Sequence, residues 1–424
     1  MSPSRCSATR FSPPSGKFFG DCFLTGWRQV RATLMNSILR RRISVYVFLF
    51  VPGLALASWI TRTPAIRDAL GASTGEMGLL LFGVSVGSMS GILISAALVR
   101  RLGTKTVITN GLTLLVLGLS LIAVGGGLES APLVFFGLMF FGFGIGSAEV
   151  AINIEGAEVE RITQAPVLVE LHGFFSAGTL VGAIIGIGFT HFGVPLTPSL
   201  LGIAVICVPA LVWSIAGIDP GFGKEEKADR SEPVEPEPLW KDVRLLLIAG
   251  ILLAMALAEG SATDWLPLLM VDDFDLSESS GSLVFAGFAA TMTIGRFGGR
   301  FLLEKYGRVA VLRGGALMSL AGVSVVIFAD NSLLAGLAVL FWGLGVSLAF
   351  PVVISAAADS GPDSVGRVGL VASTGYVAFL VGPPTLGFLG EHFGLRSAML
   401  VVLAALTFTA VVASAAGQRV RQPD

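Results

Sequence analysis

Long apolar runs, bounded by polar or charged residues, recur along the whole chain. A hydrocarbon core about 30 Å thick requires roughly 20 apolar residues in a helix, and twelve runs reach that length. The pattern therefore predicts an all-α membrane protein with twelve transmembrane helices. The runs begin near Ile43, Met77, Thr106, Pro132, Val167, Pro198, Leu245, Gly281, Val309, Leu333, Val368 and Ala398.

The interval between the sixth and seventh runs has a different composition. Residues 221–244, GFGKEEKADRSEPVEPEPLWKDVR, are charged and rich in proline, which is typical of a solvated linker. The N-terminal tail lacks the continuous apolar core of a signal peptide; we expect it to be disordered, with Met35 as a candidate start. The predicted segments are a cytoplasmic tail, a six-helix bundle, a linker, a second six-helix bundle and a cytoplasmic tail, over 1–42, 43–217, 218–242, 243–417 and 418–424.

Composition and charge agree with this interpretation. Hydrophobic residues make up 53% of the 424 positions and charged residues 13%, with a mean hydropathy of +0.81, whereas a soluble domain carries about 25% charged residues. If the N-terminus is cytoplasmic, only Arg62, Arg67 and Arg396 of the 28 Lys and Arg lie outside. Because cytoplasmic loops carry the excess of Lys and Arg, both termini are predicted to be cytoplasmic.

The two halves of the chain repeat each other at an offset near 200 residues. ALVRRLGTK (97–105) matches LLEKYGRVA (302–310), GFGIGSA (142–148) matches GLGVSLA (343–349), and THFG (190–193) matches EHFG (391–394). Each pair lies at the same place in its own half. Two parallel six-helix repeats are the plan of transporters in which substrate binds between the halves near mid-bilayer and rocking alternates access.

The basic glycine turns and this repeat resemble the major facilitator superfamily over about residues 36–418. LHGFFSAGTLVGA (171–183) and LAEGSATDW (257–265) are similar to a bacterial branch distantly related to fucose permeases. The resemblance implies two pseudo-symmetric six-helix bundles and a cytoplasmic gate motif in each. Arg100 stands where the family motif has an Asp, whereas the second copy keeps an acid. The gate residues implied are Arg100, Arg101, Gly103, Lys105, Glu304, Lys305, Gly307 and Arg308.

Polar side chains interrupt some of the apolar runs. Glu149 and Asn153 are four residues apart, on one face of a helix. Glu149 is predicted about 25 Å along the fourth span and His172 about 9 Å along the fifth, at similar depths. A carboxylate beside an imidazole in a cavity can exchange a proton near neutral pH, so these residues are candidates for proton coupling or substrate binding. A structural network that joins the two helices is the alternative.

The first and seventh spans are equivalent in the repeat. Arg62 and Asp264 lie at matching distances along them, which predicts an external gate between opposite charges, with two unconnected surface charges as the alternative. Glu259 lies about one and a half turns deeper and is a candidate either for the site or for a structural hydrogen bond. Arg296 is predicted to extend to the cytoplasmic face.

Aromatic and proline residues in the spans add further candidates. Trp59 and Trp265 fall near the predicted outer boundary, where aromatic residues commonly anchor a helix, so an anchoring role is the alternative to substrate contact. Pro351 is predicted to loosen the tenth span, as are the adjacent prolines at 383–384 in the eleventh. The aromatic residues that could stack on a substrate ring are Trp59, Trp265, Trp342 and Tyr376.

Other chemistries have little support. The sequence has no P-loop or GxGxxG context, and its three histidines are scattered, so we expect no cofactor, no metal, no nucleic acid and no enzyme activity. The prediction is a monomeric transporter of the bacterial inner membrane that moves a small solute by alternating access, with proton-coupled uptake of a polar or sugar-like substrate. Efflux of drugs or metabolites by proton antiport remains open, as does a non-transporting sensor on the same fold.

Overall fold

The computed structural model describes residues 16–164, 167–224, 239–361 and 363–417, and helices carry nearly all of the structure there. Two 3-10 turns, Leu239–Lys241 and Ala413–Ala416, flank the second half. The α-helices are α1 Gly16–Ile60, α2 Thr63–Leu70, α3 Thr74–Leu102, α4 Thr104–Gly127, α5 Ala131–Thr163, α6 Val167–His191, α7 Leu196–Ile215, α8 Val243–Asp272, α9 Glu278–Phe328, α10 Ser332–Val346, α11 Ala349–Ala358, α12 Ser364–Phe393 and α13 Leu395–Val412.

Twelve spans are present in this described part, as predicted. Eleven helical segments are long and apolar enough to cross a membrane. One of them, α9, is 51 residues long and breaks at Gly307, which has φ 76° and ψ 168°, so α9 supplies two spans. Another, Ser332–Ala358, combines α10 and α11. The break between these two helices lies just before Pro351, whose missing N–H removes the hydrogen bond to the carbonyl of Ser347.

The turns confirm the internal repeat. Gly103, between α3 and α4, has φ 85° and ψ 160°, close to the values at Gly307. Such positive φ angles favour glycine because it has no Cβ. Gly193 and Gly394, the glycines of THFG and EHFG, also have positive φ, at 64° and 82°. Each pair of matched glycines therefore shares a positive φ, and Gly103 and Gly307 share ψ as well.

Matched glycines also bring helix backbones together in each half. Gly144 on α5 packs against the backbone of Gly111 on α4, and Gly345 on α10 packs against that of Gly315 on α9. A Cβ at Gly144 would lie 2.6 Å from the backbone nitrogen of Leu115. Small residues allow this close approach, which supplies much of the packing energy of helices in a membrane.

The helices form two bundles that meet along two seams. In the first half α5 packs on α3 and α4, and α1 packs on α6; in the second, α9 packs on α10 and α8 on α12. The halves touch where α3 packs on α12 and where α6 packs on α9. We call the side that carries the α1–α2 turn and residues 273–277 the outer side, following the predicted orientation, and the opposite side the inner side.

The segments outside the bundles are described in part. Helix α1 begins at Gly16, so residues 16–42 are helical, in contrast to the disordered tail expected over 1–42. Met35, the candidate start, lies within this helix. Residues 1–15 and 418–424 lie outside the described residues, as do 225–238 of the predicted linker. The predicted domain bounds stay predictions.

Candidate transport cavity

Two adjoining cavities, of about 260 and 550 Å³, lie between the halves. The smaller one lies towards the outer side and includes Trp59 and Asp264 in its lining. The larger one extends from it towards the inner side, where Pro351 and Ser355 of α11 border it. Residues from both halves line both cavities and form their junction: Ile145, Glu149, Phe175, Glu259, Arg296, Tyr376 and Phe379.

Glu149 lies on α5 at this junction. Within the described part of the chain, no hydrogen bond or ion pair engages its carboxylate; its backbone carbonyl accepts a hydrogen bond from Asn153 Nδ2 at 3.0 Å. An ionisable group at membrane depth requires a partner or a water-filled cavity, and Glu149 has the cavity. Asn153 lines neither cavity and bonds back to its own helix.

His172, on α6, borders the larger cavity together with Glu149. No hydrogen bond joins the imidazole to that carboxylate, so the predicted side-by-side pair is not formed. The backbone carbonyl of His172 accepts a hydrogen bond from Ser176 Oγ at 3.2 Å. Both side chains nevertheless border the same larger cavity.

Arg296 corrects a prediction. Instead of extending to the inner face, it lies at the cavity junction, where Nη2 donates to Glu259 Oε1 at 2.9 Å and Nη1 donates to Ser176 Oγ at 2.7 Å. The carboxylate of Glu259 neutralises the guanidinium, which would otherwise have to reach water or lipid headgroups at the inner face. Because Ser176 belongs to the first half and Arg296 to the second, this contact crosses the seam.

A depth comparison could have found this pair. Helices α8 and α9 are antiparallel neighbours, and Glu259 and Arg296 lie about 20 and 27 Å from their outer ends. An arginine side chain spans that difference. The depth of Arg296 alone does not identify this partner.

The predicted gate between Arg62 and Asp264 is not formed. Arg62 lies in the turn after α1, where Nη2 donates to the carbonyl of Val194 at 3.0 Å and Nη1 is 3.9 Å from Glu278 Oε2. Asp264 instead faces the smaller cavity, and no ion pair or hydrogen bond engages its side chain among the described residues. The turn directs the guanidinium away from α8. The matching distances of Arg62 and Asp264 along their spans therefore do not bring the two side chains into contact.

The predicted aromatic residues separate into two groups. Trp59 and Tyr376 line the cavity, and the repeat offset that aligns Gly193 with Gly394 also aligns Phe175 with Tyr376. Trp265 and Trp342 are fully buried in the second half and line neither cavity. Burial of Trp59 and Trp265, at 1% and 0% exposed, rules out the lipid-interface role for both. Further lining residues that the sequence did not single out are Met89, Phe285, Phe288, Met292 and Phe379.

Polar contacts join the two halves on the outer side. Arg67 pairs with Asp272, Gly75 N donates to Glu391 Oε2 at 2.9 Å, and Ser282 Oγ donates to the carbonyl of Thr61 at 3.1 Å. Backbones also meet there, since the Cα of Gly387 would lie 3.0 Å from a Cβ placed at Gly78. The cavity is therefore covered on this side by direct contacts between α2, α3, α8, α9 and α12.

The predicted gate motif lies on the inner side. After Gly103, Thr104 donates to Glu155, which also accepts from Arg41 Nη2 at 2.6 Å. After Gly307, Arg308 Nη2 is 2.7 Å from both Ser355 Oγ and Asp359 Oδ2. In each half, therefore, the residue after the glycine turn contacts an acid at the end of the fourth span of that half.

The other gate residues make local contacts. Glu304 pairs with Arg300 at 2.8 Å on its own helix, and Lys105 Nζ donates to the carbonyl of Ile218 at 2.9 Å. Lys305 lies 5.2 Å from the ring centre of Tyr306. The remaining basic residues of the first copy, Arg100 and Arg101, are exposed.

A sequence profile of the Major Facilitator Superfamily matches residues 158–369 and 266–423, together more than half of the chain. The chain belongs to the Major Facilitator Superfamily. An uncharacterized transporter of this superfamily from Yersinia pestis is 28% identical over 381 residues, 89% of this chain and 95% of the relative. The membrane protein MosC of Rhizobium meliloti is 25% identical, over 84% of this chain and 85% of the relative.

Solved structures agree on the fold. The nucleoside transporter NupG superposes with a TM-score of 0.68 at 14% identity, covering 89% of this chain and 98% of NupG. The transporter FucP, in its outward conformation, gives 0.64 at 18% identity, covering 90% of this chain and all of FucP. The chain is thus a multi-pass protein of the bacterial inner membrane with the transporter fold predicted from its sequence, and it is not an enzyme.

Proposed function

We propose that this protein is a proton-coupled secondary transporter that takes up a small polar solute by alternating access. The observation that carries the proposal is the position of Glu149. This acid has no partner among the described residues, yet it borders both cavities at the junction of the two halves. A carboxylate there can hold a proton in one conformation and release it in another.

Coupling requires the charge state of the cavity to affect the arrangement of the halves. Burial of a charged carboxylate in an apolar cavity is unfavourable, so a protonated Glu149 lowers the cost of enclosing the site. Arg296 adds a direct link, because it bonds Glu259 in its own half and Ser176 in the other. Separation of α6 from α9 must break the bond to Ser176, which makes this network sensitive to what occupies the cavity.

Alternating access is supported by the difference between the two sides. The outer side is covered by the pair of Arg67 and Asp272 and by the close approach of α3 to α12. The larger cavity extends in the opposite direction, between α5, α6 and α11. We infer that this arrangement is the inward-facing state, with both termini cytoplasmic and a single chain as the working unit.

A polar ring-shaped solute suits the lining. Arg296, Glu259 and Ser176 offer donors and acceptors for hydroxyl groups, and Trp59 and Tyr376 offer ring faces. The structural neighbours whose names state a substrate carry nucleosides and fucose. We therefore propose a substrate of about the size of a sugar or a nucleoside.

Export of an apolar compound by proton antiport is the second candidate. It is favoured by the methionines and phenylalanines of the smaller cavity, such as Met89, Met292 and Phe285, which adapt to many apolar shapes. The two directions use the same cavity and the same proton site. They differ in the gradient that drives accumulation.

Transport by the purified full-length protein in proteoliposomes tests the proposal. A panel of sugars, nucleosides, amines and toxic apolar compounds is offered under a pH gradient of either direction, and the vesicle contents are measured by mass spectrometry. We expect at least one solute to accumulate, and a protonophore to abolish the accumulation. The direction of the effective gradient distinguishes import from export, and the absence of transport for the whole panel would favour a sensor over a carrier.

A further inference from the structure

The charges that border the two cavities do not balance. The ionisable residues in the lining are Glu149, His172, Glu259, Asp264, Arg296 and Tyr376. Arg296 pairs with Glu259 at 2.9 Å, so that pair is neutral as a unit. Two carboxylates, Glu149 and Asp264, remain without an ion pair or hydrogen bond among the described residues. A neutral sugar would leave both of them uncompensated.

These two carboxylates occupy different places. Glu149 borders both cavities and is in contact with the larger volume that extends to the inner side. Asp264 borders the smaller cavity alone, on the outer side of the Arg296 network. Glu149 therefore adjoins the volume that extends towards the inner side, whereas Asp264 adjoins only the smaller cavity.

The same cavity also contains a buried donor that a ligand could satisfy. Trp59 lines it and is 1% exposed, and its indole Nε1 has no hydrogen-bond partner among the described residues. A buried donor without a partner is unfavourable, because it has lost its hydrogen bonds to water. A ligand that carries an oxygen or nitrogen acceptor would satisfy it. Phe285 and Phe288 also line this cavity, and aromatic rings attract cations that lie over their faces.

We propose that the smaller cavity binds an organic cation, a protonated amine that also carries a hydroxyl or ether oxygen, with Asp264 as the carboxylate that holds the ammonium group. The oxygen accepts from Trp59, and the aromatic wall packs on the body of the molecule. This assignment rests on the proposed transport function and leaves Glu149 to carry the proton. It makes Asp264 a substrate-binding residue rather than part of an external gate.

Binding to the detergent-purified full-length protein at neutral pH tests the assignment. The probes form two matched sets, phenylalaninol with 3-phenylpropanol and 3-phenyllactate, and glucosamine with glucose and glucuronate. Each set varies the charge on one scaffold, and affinities are measured by calorimetry. We expect the cation of at least one set to bind about tenfold or more tightly than its neutral and anionic partners. Equal or weaker binding of the cation in both sets would overturn the proposal.

Variants locate the site. Asp264→Asn should weaken binding of the preferred cation by about tenfold and leave its neutral partner unchanged, whereas Asp264→Glu should retain part of the preference. Asp330→Asn is the matched control, because the Asp330 side chain is 98% exposed in a loop. A cation preference that survives unchanged in Asp264→Asn would refute the role of Asp264.

The two proposals can fail separately. Binding in detergent does not require transport, so a cation preference without flux in proteoliposomes would contradict the transport function alone. Flux of a neutral solute without any cation preference would contradict the cation site alone.

Discussion

Arg296 shows how strongly the surroundings of a single residue determine its role. Its position along a helix suggests an arginine that reaches the inner face, since arginine has a long apolar stem. In the structure Glu259 and Ser176 accept its hydrogen bonds at the cavity junction. An ion pair in such a place is costly to break, because the remaining partner is left with an uncompensated charge.

Arg296→Met should therefore lower the melting temperature of the purified protein more than Arg296→Met combined with Glu259→Met. The single variant leaves the Glu259 carboxylate without its partner, whereas the double variant removes both charges. We expect a coupling free energy of about 1–3 kcal/mol between the two positions in a double-mutant cycle. Thermal unfolding in detergent of the wild type, both single variants and the double variant measures it. Additive effects would contradict the pairing.

The sequence identified individual site residues better than their partners. Glu149 and Glu259 were recognisable because a charge within an apolar run is rare and costly. The sequence predicts that Asp264 forms a gate with Arg62, but after the turn that follows α1 this arginine contacts Val194 and Glu278. The partner of a charged side chain depends on the direction in which that side chain points towards helices far away in sequence. The depth of a residue along its helix does not give this direction.

At the scale of elements, the sequence predicted most of what is observed. Eleven of the twelve apolar runs begin within a few residues of a helix start or of the break at Gly307, because the membrane requires a continuous apolar segment. The exception is the first run, near Ile43, because α1 already begins at Gly16. The glycine turns at Gly103 and Gly307 follow from the repeat. The break between α10 and α11 is explained by Pro351, whereas α12 continues through Pro383 and Pro384. The effect of a proline on a helix thus depended on its neighbours.

The start of α8 offers a test that depends on pH. Asp242 caps this helix by accepting from Leu245 N at 3.1 Å, and it pairs with Arg367 of α12 at 2.6 Å. The hydrogen bond from the Arg367 guanidinium holds the pKa of the Asp242 carboxyl below its usual value. A carboxyl whose pKa is lowered by folding stabilises the folded state above its unfolded pKa, and this contribution is lost as the pH falls through the folded pKa.

Asp242→Asn should therefore destabilise the protein by about 0.5–1 kcal/mol at neutral pH. The difference from the wild type should shrink as the pH falls below about 4, where the aspartate of the unfolded chain becomes protonated, and it should vanish below the folded pKa, where both states are protonated. Asparagine can still cap the helix, so this variant removes the charge and keeps the cap. Melting temperatures of both proteins across a pH series measure the effect, and a difference that does not change with pH would count against the ion pair.

At the scale of the whole molecule, the repeat predicted two bundles with a site between them. It did not predict which surfaces meet, because the two halves can rock about their seam without any change in the contacts within a half. The structure shows the outer side joined by Arg67 with Asp272 and by Gly75 with Glu391. These contacts must separate if the cavity is to open outwards.

A disulfide across this seam should stop transport. A Cβ placed at Gly75 would lie 3.6 Å from Cβ of Glu391, within the range that a disulfide requires. We expect the double variant Gly75→Cys and Glu391→Cys to cross-link under mild oxidation and to lose solute flux, with recovery after reduction. The two single substitutions, Gly75→Cys alone and Glu391→Cys alone, are the controls for oxidation itself. A cross-linked protein that transports at the rate of its reduced form would show that the outer side does not need to open.

The central claim is that the Glu149 carboxylate carries the proton whose movement drives the solute. The most direct measurement is gradient-driven accumulation of a transported solute in proteoliposomes, compared between the wild type and Glu149→Gln at equal amounts of inserted protein. Glutamine keeps the size and polarity of the side chain but cannot release a proton. We expect the variant to keep its melting temperature and to lose accumulation against a gradient. Accumulation at the wild-type rate in Glu149→Gln would contradict the account.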